Sequence, residues 1–167
     1  MGDTPLFIVT GLSAAGKTKA SKELRRIASS SFYVLDMDIL VESNDFQKAC
    51  CQWLEIARYN SMSDKATVLF GSVPSPYNLA ECKNYQAFKK VYTVLLHCDQ
   101  EDRYRRLADR GAIWLEENIW LTIEEAERSF ENAILKEVPI INTSQNNVEE
   151  VAKGLYYWIE NILQNNH

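Results

Sequence analysis

The sequence has no long apolar segment, no excess of basic charge and few side chains that bind transition metals. Its strongly apolar runs, such as Val91–Leu96, are far too short to cross a bilayer, and we expect no membrane partner. The amino terminus lacks a basic region followed by an apolar stretch and a cleavage site, so we expect a cytoplasmic protein. The formal net charge of −5 disfavours nucleic acid as a partner, because binding the phosphate backbone needs clustered Lys and Arg.

The four cysteines show no pattern of a metal site. They lack the paired C-x-x-C spacing of zinc sites, and only two histidines are available to assist. Two of the cysteines are adjacent in an apolar helical pattern, which favours a packing role. We therefore expect free and mostly buried thiols, as in a reducing compartment. The cysteines are Cys50, Cys51, Cys82 and Cys98.

The pattern of apolar runs predicts an α/β fold. A chain of 167 residues suits one domain spanning 1–167, and 46% apolar residues are enough for a core. Runs that are apolar on both faces alternate with stretches of helical spacing, which is typical of a parallel sheet covered by helices on each side. We expect five strands in a three-layer α/β/α sandwich. The predicted strands are Leu6–Thr10, Phe32–Leu35, Ala66–Phe70, Val91–His97 and Val138–Ile141.

Helix termini can also be read from the sequence. Asp99 is a candidate N-cap for the helix that follows the fourth strand, and Thr122 with Glu125 matches a capping box. The apolar periodicity of Val148–Leu163 predicts a final helix. The stretch at about 111–121, which contains two tryptophans, suits a short lid, although ordinary aromatic packing explains it equally well.

A phosphate-binding loop follows the first predicted strand. Residues 11–18, GLSAAGKT, match G-x-x-x-x-G-K-[ST] and precede a predicted helix, which is the order that a P-loop requires. Backbone N–H groups of such a loop hold phosphate, the lysine reaches the β- and γ-phosphates and the Thr hydroxyl binds Mg²⁺. The motif alone does not separate a kinase from a motor or a switch. The predicted nucleotide contacts are Gly11, Ser13, Ala14, Ala15, Gly16, Lys17 and Thr18.

Two carboxylates stand at the end of the second predicted strand. Asp36 and Asp38 are two apart, so on an extended chain both side chains point to one side, with Cα atoms about 7 Å apart. Asp36 is a candidate Mg²⁺ ligand, and Asp38 a candidate base for an acceptor hydroxyl. The alternative for Asp38 is an N-cap of the next helix. The third strand ends without a carboxylate, which favours a small-molecule kinase over a motor ATPase.

Three arginines are predicted to share one helix face. Arg103, Arg106 and Arg110 follow at helical spacing, and three cations on one face repel each other unless an anion lies there. Positioned arginines stabilise the charge of a transferring phosphoryl group. The alternative is a solvated helix face on which nearby carboxylates neutralise the arginines.

A short polar stretch, residues 141–144, lies at the end of the last predicted strand. Its backbone is a candidate contact for adenine, and the alternative is a polar turn.

Taken together, the P-loop, the Asp36–Asp38 pair and the run from Arg106 to Arg110 resemble the nucleoside and nucleotide kinase branch of P-loop proteins. That branch includes shikimate, gluconate and adenylate kinases, and Asp38 is also similar to the proposed base of chloramphenicol phosphotransferase. The resemblance implies a P-loop NTPase fold with strand order 2-3-1-4-5 and the use of ATP with Mg²⁺. It implies that Arg106 lies near the adenine and Arg110 near the transferred phosphate. The overall layout looks most like bacterial proteins labelled nucleoside kinases or AAA-type ATPases.

The acceptor side departs from the nucleoside monophosphate kinases. Those enzymes grip the acceptor phosphate with several arginines between the second and third strands, where this chain has only Arg58. We therefore expect a small, weakly charged or neutral hydroxyl acceptor such as a nucleoside, contacted by Asp38, Trp53, Arg58 and Ser72. Two alternatives remain: a nucleotide-binding regulatory ATPase or switch, and a nucleoside monophosphate kinase.

Overall fold

The computed structural model describes a five-stranded parallel sheet with helices on both faces. The strands follow the order β2-β3-β1-β4-β5, so the predicted fold class and strand order are confirmed. Parallel pairing brings the carboxyl ends of β1, β2 and β3 to one edge of the sheet, which is where open α/β sheets bind their ligands. The described residues are 4–28, 30–40, 45–71, 78–111, 125 and 127–165.

The elements alternate along the chain in the predicted way. Short 3-10 turns span Met37–Leu40, Leu79–Glu81 and Lys83–Ala87. The strands and helices are β1 Leu6–Thr10, α1 Lys17–Ile27, β2 Phe32–Asp36, α2 Phe46–Ser61, β3 Ala66–Phe70, β4 Val91–His97, α3 Gln100–Ala108, α4 127–135, β5 Ile140–Asn142 and α5 Val148–Gln164.

The two faces of the sheet carry separate apolar cores. Successive side chains of β1 point to opposite faces, so Phe7 and Val9 pack with α1 and α5, whereas Leu6 and Ile8 pack with α2. Trp53 belongs to the second core. Because helices cover both faces, the central strands are mostly apolar, which explains why the strands were readable from the sequence.

Some local predictions differ from the structure. β2 ends at Asp36 and a 3-10 turn begins at Met37, so the Asp36–Asp38 pair does not lie on one extended segment. Asp99 precedes α3, but its side chain makes no cap hydrogen bond. Asn147 and Glu150 form a capping box at α5. The capping-box Thr and nearly all of the candidate lid lie outside the described residues.

The cysteine prediction is wrong for one pair. Cys51 of α2 and Cys82 of the crossover between β3 and β4 form a disulfide, with Cα atoms 5.1 Å apart. Cys50 and Cys98 are buried free thiols, as expected. The sequence separation of 31 residues gave no sign of this pairing, because it depends on how the crossover packs against α2. Cysteine content therefore gives no support for a reducing compartment. Within the described residues, none of the helices combines the length and apolarity needed to cross a membrane.

Candidate functional site

The phosphate-binding loop has the backbone of an anion cradle. Gly11 has φ +157°, and a Cβ there would lie 2.6 Å from the carbonyl oxygen of Leu96, so no side chain fits. Ala14 and Gly16 have φ of 63° and 92°, in the left-handed region. Such alternation turns consecutive N–H groups toward a common point and creates a concavity for anions. The sequence pattern was therefore sufficient to predict this loop.

Helix α1 begins with its N–H groups available to a ligand. Its N-cap is Gly16, which has no side chain, and the first turn carries no acidic residue. The N–H groups of a first turn have no intrahelical partner, and the helix dipole adds positive potential there. This end of α1 therefore favours a bound phosphate.

Lys17 lies folded over the loop. Its Nζ donates hydrogen bonds to the carbonyl oxygens of Gly11 and Leu12, the latter at 3.0 Å. Burial lowers the pKa of Lys17, the neighbouring Arg110 lowers it further, and Asp38 and Asp36 oppose that change. The lysine thus occupies a confined position between opposite charges at the mouth of the loop.

The two aspartates lie close together but have different roles. The backbone N–H of Asp38 donates to Oδ1 of Asp36 at 3.1 Å, so Asp36 fixes the turn that carries Asp38. Partial burial raises the pKa of Asp38, the charge of Asp36 raises it further, and Lys17 lowers it. Asp38 lines the cavity over the P-loop. The turn thus brings one carboxyl group to the cavity and uses the other as its support.

Arg106 and Thr143 join three parts of the site. Arg106 Nη1 donates to the carbonyl of Ala14 at 3.2 Å and to Oγ1 of Thr143 at 3.0 Å, while Nη2 donates to the carbonyl of Thr143 at 2.8 Å. Oγ1 of Thr143, which is buried, lies 3.1 Å from the Ala15 carbonyl and 3.0 Å from that of His97. The sequence placed Thr143 in the stretch 141–144, a candidate backbone contact for adenine or a polar turn, but did not predict the role of its hydroxyl.

The three arginines do not share one helix face, because α3 ends at Ala108 and Arg110 lies in the turn that follows. Arg110 is exposed and its Nη1 lies 3.3 Å from Oγ of Ser13, so it reaches the P-loop as Arg106 does. Arg103 is buried, and its Nη2 donates to the carbonyl of Cys98 at 2.7 Å. Burial is the main cause that lowers the pKa of Arg103. Arg103 therefore supports the start of α3, and only Arg106 and Arg110 reach the loop.

A cavity of about 530 Å³ lies over the P-loop and brings these groups together. Its volume is in the range of small-molecule sites. One side is formed by the turn after β5 and the start of α5; residues 141–144 were candidate site residues, whereas the contribution of α5 was not predicted from the sequence. The lining residues are Leu12, Ser13, Ala14, Ala15, Gly16, Lys17, Thr18, Lys19, Ala20, Asp38, Arg106, Asp109, Arg110, Thr143, Asn146, Asn147, Val148 and Val151.

The predicted acceptor residues are not brought to this cavity. Trp53 is buried in the core, and its indole N–H donates to the Met37 carbonyl at 3.0 Å, which holds the 3-10 turn. Arg58 lies in the last turn of α2, which leads into the amino end of β3 at the opposite edge of the sheet. Ser72 lies outside the described residues. Of the proposed acceptor contacts, only Asp38 lines the cavity.

Comparison with known proteins places the chain in a family. A family model described as an AAA domain matches residues 8–129, which include the P-loop, the Asp36–Asp38 turn and α3. The chain belongs to this AAA domain family. No curated protein matches the chain.

The chain is similar in fold to kinases of known structure. A sugar kinase from Janibacter sp. HTCC2649 is 14% identical with a TM-score of 0.64, covering 94% of this chain and 95% of that one. Shikimate kinase from Acinetobacter baumannii, in complex with shikimate, is 17% identical with a TM-score of 0.58 (97% and 94% covered). A gluconokinase from Sinorhizobium meliloti 1021 is 15% identical with a TM-score of 0.59 (100% of both). At these identities the likeness shows the fold, and the predicted resemblance to P-loop small-molecule kinases is confirmed at that level.

Proposed function

We propose that this AAA domain protein is an ATP- and Mg²⁺-dependent phosphotransferase that moves the γ-phosphoryl group to a hydroxyl of a small, nucleoside-like molecule. One observation carries the proposal. Lys17, Asp38, Arg106 and Arg110 line one cavity over the P-loop. A phosphate cradle alone serves many functions, whereas a carboxyl group with a raised pKa facing that cradle supplies a base for an acceptor hydroxyl.

The loop and α1 bind the phosphates of ATP in this proposal. The free N–H groups of the α1 terminus and the left-handed bends at Ala14 and Gly16 present donors to phosphate oxygens. Lys17 exchanges its two carbonyl partners for oxygens of the β- and γ-phosphates. Arg110 is exposed and makes one long contact with Ser13, so it is free to turn toward the phosphoryl group.

Thr18 and Asp36 are the residues that would hold Mg²⁺. Among the described residues, no three Asp, Glu, His or Cys side chains lie together as a metal cluster. This fits Mg²⁺, which keeps several waters and is held by one or two protein oxygens together with phosphate oxygens. Thr18 is exposed in the first turn of α1, and Asp36 stands at the end of β2. When bound, the ion neutralises charge on the phosphates.

Asp38 accepts the proton in the transfer step. The acceptor oxygen forms a bond to the γ-phosphorus while the bond from that phosphorus to the β-phosphate bridging oxygen breaks, and the hydroxyl proton passes to the carboxylate of Asp38. Arg106 and Arg110 stabilise the charge spread over the γ-oxygens. Arg106 is held in place by Thr143 and the Ala14 carbonyl, so it is positioned before the substrates bind.

A panel assay tests this proposal. The protein is incubated with ATP, Mg²⁺ and pooled nucleosides, nucleoside monophosphates, sugars, shikimate-like acids and antibiotic alcohols, and mass spectra are searched for a gain of one phosphate. Lys17→Ala is the blank, and Lys22→Ala, on an exposed part of α1, is the matched control. We expect a phosphorylated product with the control and none with the blank. Phosphorylation of monophosphates alone would indicate the nucleotide kinase alternative, and ATP binding without any phosphorylated product would contradict the proposal.

A further inference from the structure

The Cys51–Cys82 disulfide joins two segments that other contacts also hold together. Gln47, one turn earlier on α2, binds the backbone of Asn78 twice: its Nε2 donates to the carbonyl and its Oε1 accepts from the N–H, both at 3.0 Å. Cys82 is buried in the apolar core that α2 covers. These contacts do not need the S–S bond, so the two segments remain together when it breaks.

The two sulfur atoms of the disulfide lie in different surroundings. Cys51 is partly exposed, whereas Cys82 is 2% exposed. Nε2 of Gln47 also donates to Sγ of Cys82 at 3.2 Å, and it lies 3.8 Å from Sγ of Cys51. Thiol–disulfide exchange is faster at an accessible sulfur and when the leaving thiolate is stabilised. An external thiolate therefore reaches Sγ of Cys51, and Cys82 leaves beside an N–H donor.

The other two cysteines do not compete in this exchange. Cys50 is 1% exposed, and burial raises its pKa, so it stays a thiol rather than the reactive thiolate. Cys98 is fully buried in the core on the opposite face of the sheet. Exchange with a reagent in solution is therefore confined to the Cys51–Cys82 pair.

The disulfide is connected to the turn that carries Asp38. Trp53, two residues after Cys51 on α2, donates from its indole N–H to the carbonyl of Met37 at 3.0 Å. Met37 directly precedes Asp38 and is buried in the same apolar core as Cys82. The segments that the disulfide joins and the turn before Asp38 thus pack into one core, where a shift of α2 is transmitted to the turn.

We propose that Cys51 is a site of thiol–disulfide exchange, and that breaking its bond to Cys82 slows phosphotransfer by loosening the turn that carries Asp38. The reactant is a small thiol or dithiol in solution. The effect on activity rests on the proposed phosphotransfer and names a redox regulation of that site. The change at the turn itself does not depend on any turnover.

The exchange takes two balanced steps. A thiolate attacks Sγ of Cys51, the bond to Cys82 breaks, and Cys82 leaves as a thiolate beside Gln47. A second thiolate attacks the external sulfur of the mixed disulfide, Cys51 leaves, and both protein thiolates take up protons. Two external thiols are oxidised to one disulfide while the protein disulfide gains two electrons, and the reverse exchange restores the link.

Single-cysteine reactivity tests the exchange site. Cys82→Ala leaves the Cys51 thiol, Cys51→Ala leaves the Cys82 thiol, and both variants keep Cys50 and Cys98. Each is incubated folded with oxidised glutathione, and adducts are located by peptide mass spectrometry. We expect Cys51 to form a mixed disulfide about tenfold faster or more than Cys82, with Cys50 and Cys98 unmodified. Equal or faster modification of any other cysteine would overturn the assignment of Cys51.

Reduction of the folded wild type tests the link to Asp38. With dithiothreitol, we expect faster backbone hydrogen exchange at residues 37–40, a fall in kcat of about fivefold or more, and an unchanged KM for ATP. Removal of the reductant and reoxidation should restore kcat. The persisting rise in melting temperature with ADP and Mg²⁺ shows that the reduced protein is folded.

Matched variants separate the disulfide from other effects of the reductant. Cys50→Ala, which removes the neighbouring free thiol, should respond to dithiothreitol as wild type does. The double variant Cys51→Ala with Cys82→Ala should have the low kcat and the fast exchange at residues 37–40 with or without dithiothreitol. The inference is overturned if the disulfide reacts only in unfolded protein, or if reduction leaves hydrogen exchange at residues 37–40 unchanged.

The outcomes also separate this inference from the proposed function. Phosphotransfer that slows on reduction and recovers on reoxidation supports both. Phosphotransfer with the same kcat in both redox forms supports the proposed function and overturns the regulation. Faster hydrogen exchange at residues 37–40 on reduction, without phosphotransfer in either form, supports the link between the disulfide and the turn and overturns phosphotransfer.

Discussion

Arg106 binds Thr143 through two hydrogen bonds, one to its hydroxyl at 3.0 Å and one to its carbonyl at 2.8 Å, across 37 residues of sequence. The same guanidinium reaches the Ala14 carbonyl of the P-loop. A planar group with several fixed donors makes such a set of contacts, and an ammonium does not. The arginine is therefore a structural link as well as a cation at the cavity.

Arg106→Lys should reduce activity although it keeps the charge. Loss of the contacts to Thr143 frees the side chain, and we expect kcat/KM for ATP to fall about tenfold or more. Arg105→Lys is the matched control, because the side chain of Arg105 is exposed and pairs with Asp102 on the helix surface. Steady-state kinetics with varied ATP measure both variants. Equal kcat/KM for the two variants would contradict the role of Arg106.

Two Gly→Ala variants should change stability in opposite directions. At Gly11 a Cβ meets the Leu96 carbonyl at 2.6 Å, so Gly11→Ala should lower the free energy of unfolding by about 2 kcal/mol. At Gly154, inside α5, a Cβ meets nothing within 4 Å, and Gly154→Ala should raise it by about 0.5–1 kcal/mol. Urea unfolding measures both. A stable Gly11→Ala protein that still binds ATP would show that the loop geometry is wrong.

Asp38→Asn should separate binding from turnover. The variant cannot accept a proton, so kcat should fall about a hundredfold or more while the ATP-dependent rise in melting temperature persists. Because the pKa of Asp38 is raised in the folded protein, its charge costs stability. The free energy of unfolding therefore decreases as the pH rises from the ordinary pKa of an aspartate through the raised pKa of Asp38. Asp38→Asn avoids this loss, so it should have a higher melting temperature than wild type at neutral pH. A lower melting temperature would argue against the raised pKa.

The pH dependence of kcat/KM should change when Asp36 is replaced by Asn. Asp38 must be deprotonated to act as a base, so kcat/KM should increase as the pH rises through the raised pKa of Asp38. The charge of Asp36 helps to raise that pKa, and Asp36→Asn should therefore shift the acid limb to lower pH. The substitution retains the oxygen that accepts the Asp38 N–H. The measurement is the pH at which the acid limb of kcat/KM has its midpoint. The size of kcat/KM is not used, because it should also fall if Asp36 holds Mg²⁺. An unmoved limb would mean that another group titrates.

Loss of the disulfide between Cys51 and Cys82 should destabilise the protein. Cys51→Ser should lower the free energy of unfolding by about 2–4 kcal/mol under oxidising conditions, because the unfolded chain loses a constraint. Wild type treated with a thiol reductant should unfold like the variant, and the variant should not respond to the reductant. Urea unfolding with and without reductant measures this. Wild-type protein that is insensitive to the reductant would contradict the disulfide.

The sequence predicted the parts of the molecule that are set by local patterns. The strands were readable because both faces of the sheet are buried, and the P-loop because each of its positions has a fixed physical task. The strand order came from the family resemblance, and the sheet confirms it. The placement of Arg106 and Arg110 near the nucleotide site also came from the family resemblance, and both side chains contact the P-loop.

The parts that were missed depend on tertiary contacts. Trp53 was a candidate acceptor contact, but its apolar ring is buried and its N–H holds the Met37 carbonyl. The 3-10 turn after β2 was not predicted because it is stabilised by the Asp36 side chain. Thr143 gains its role only when β5 lies beside β4 and its hydroxyl meets the P-loop. None of these contacts has a periodic signature in the sequence.

The fate of the γ-phosphate tests the central claim most directly. The protein is mixed with γ-labelled ATP, Mg²⁺ and the uncharged acceptor panel, and the label is followed during the first turnovers. We predict that it appears on a hydroxyl of an organic product with wild type and Lys22→Ala, and not with Lys17→Ala. Label found only in inorganic phosphate, at a rate that no acceptor changes, would contradict the account and identify the protein as a regulatory ATPase.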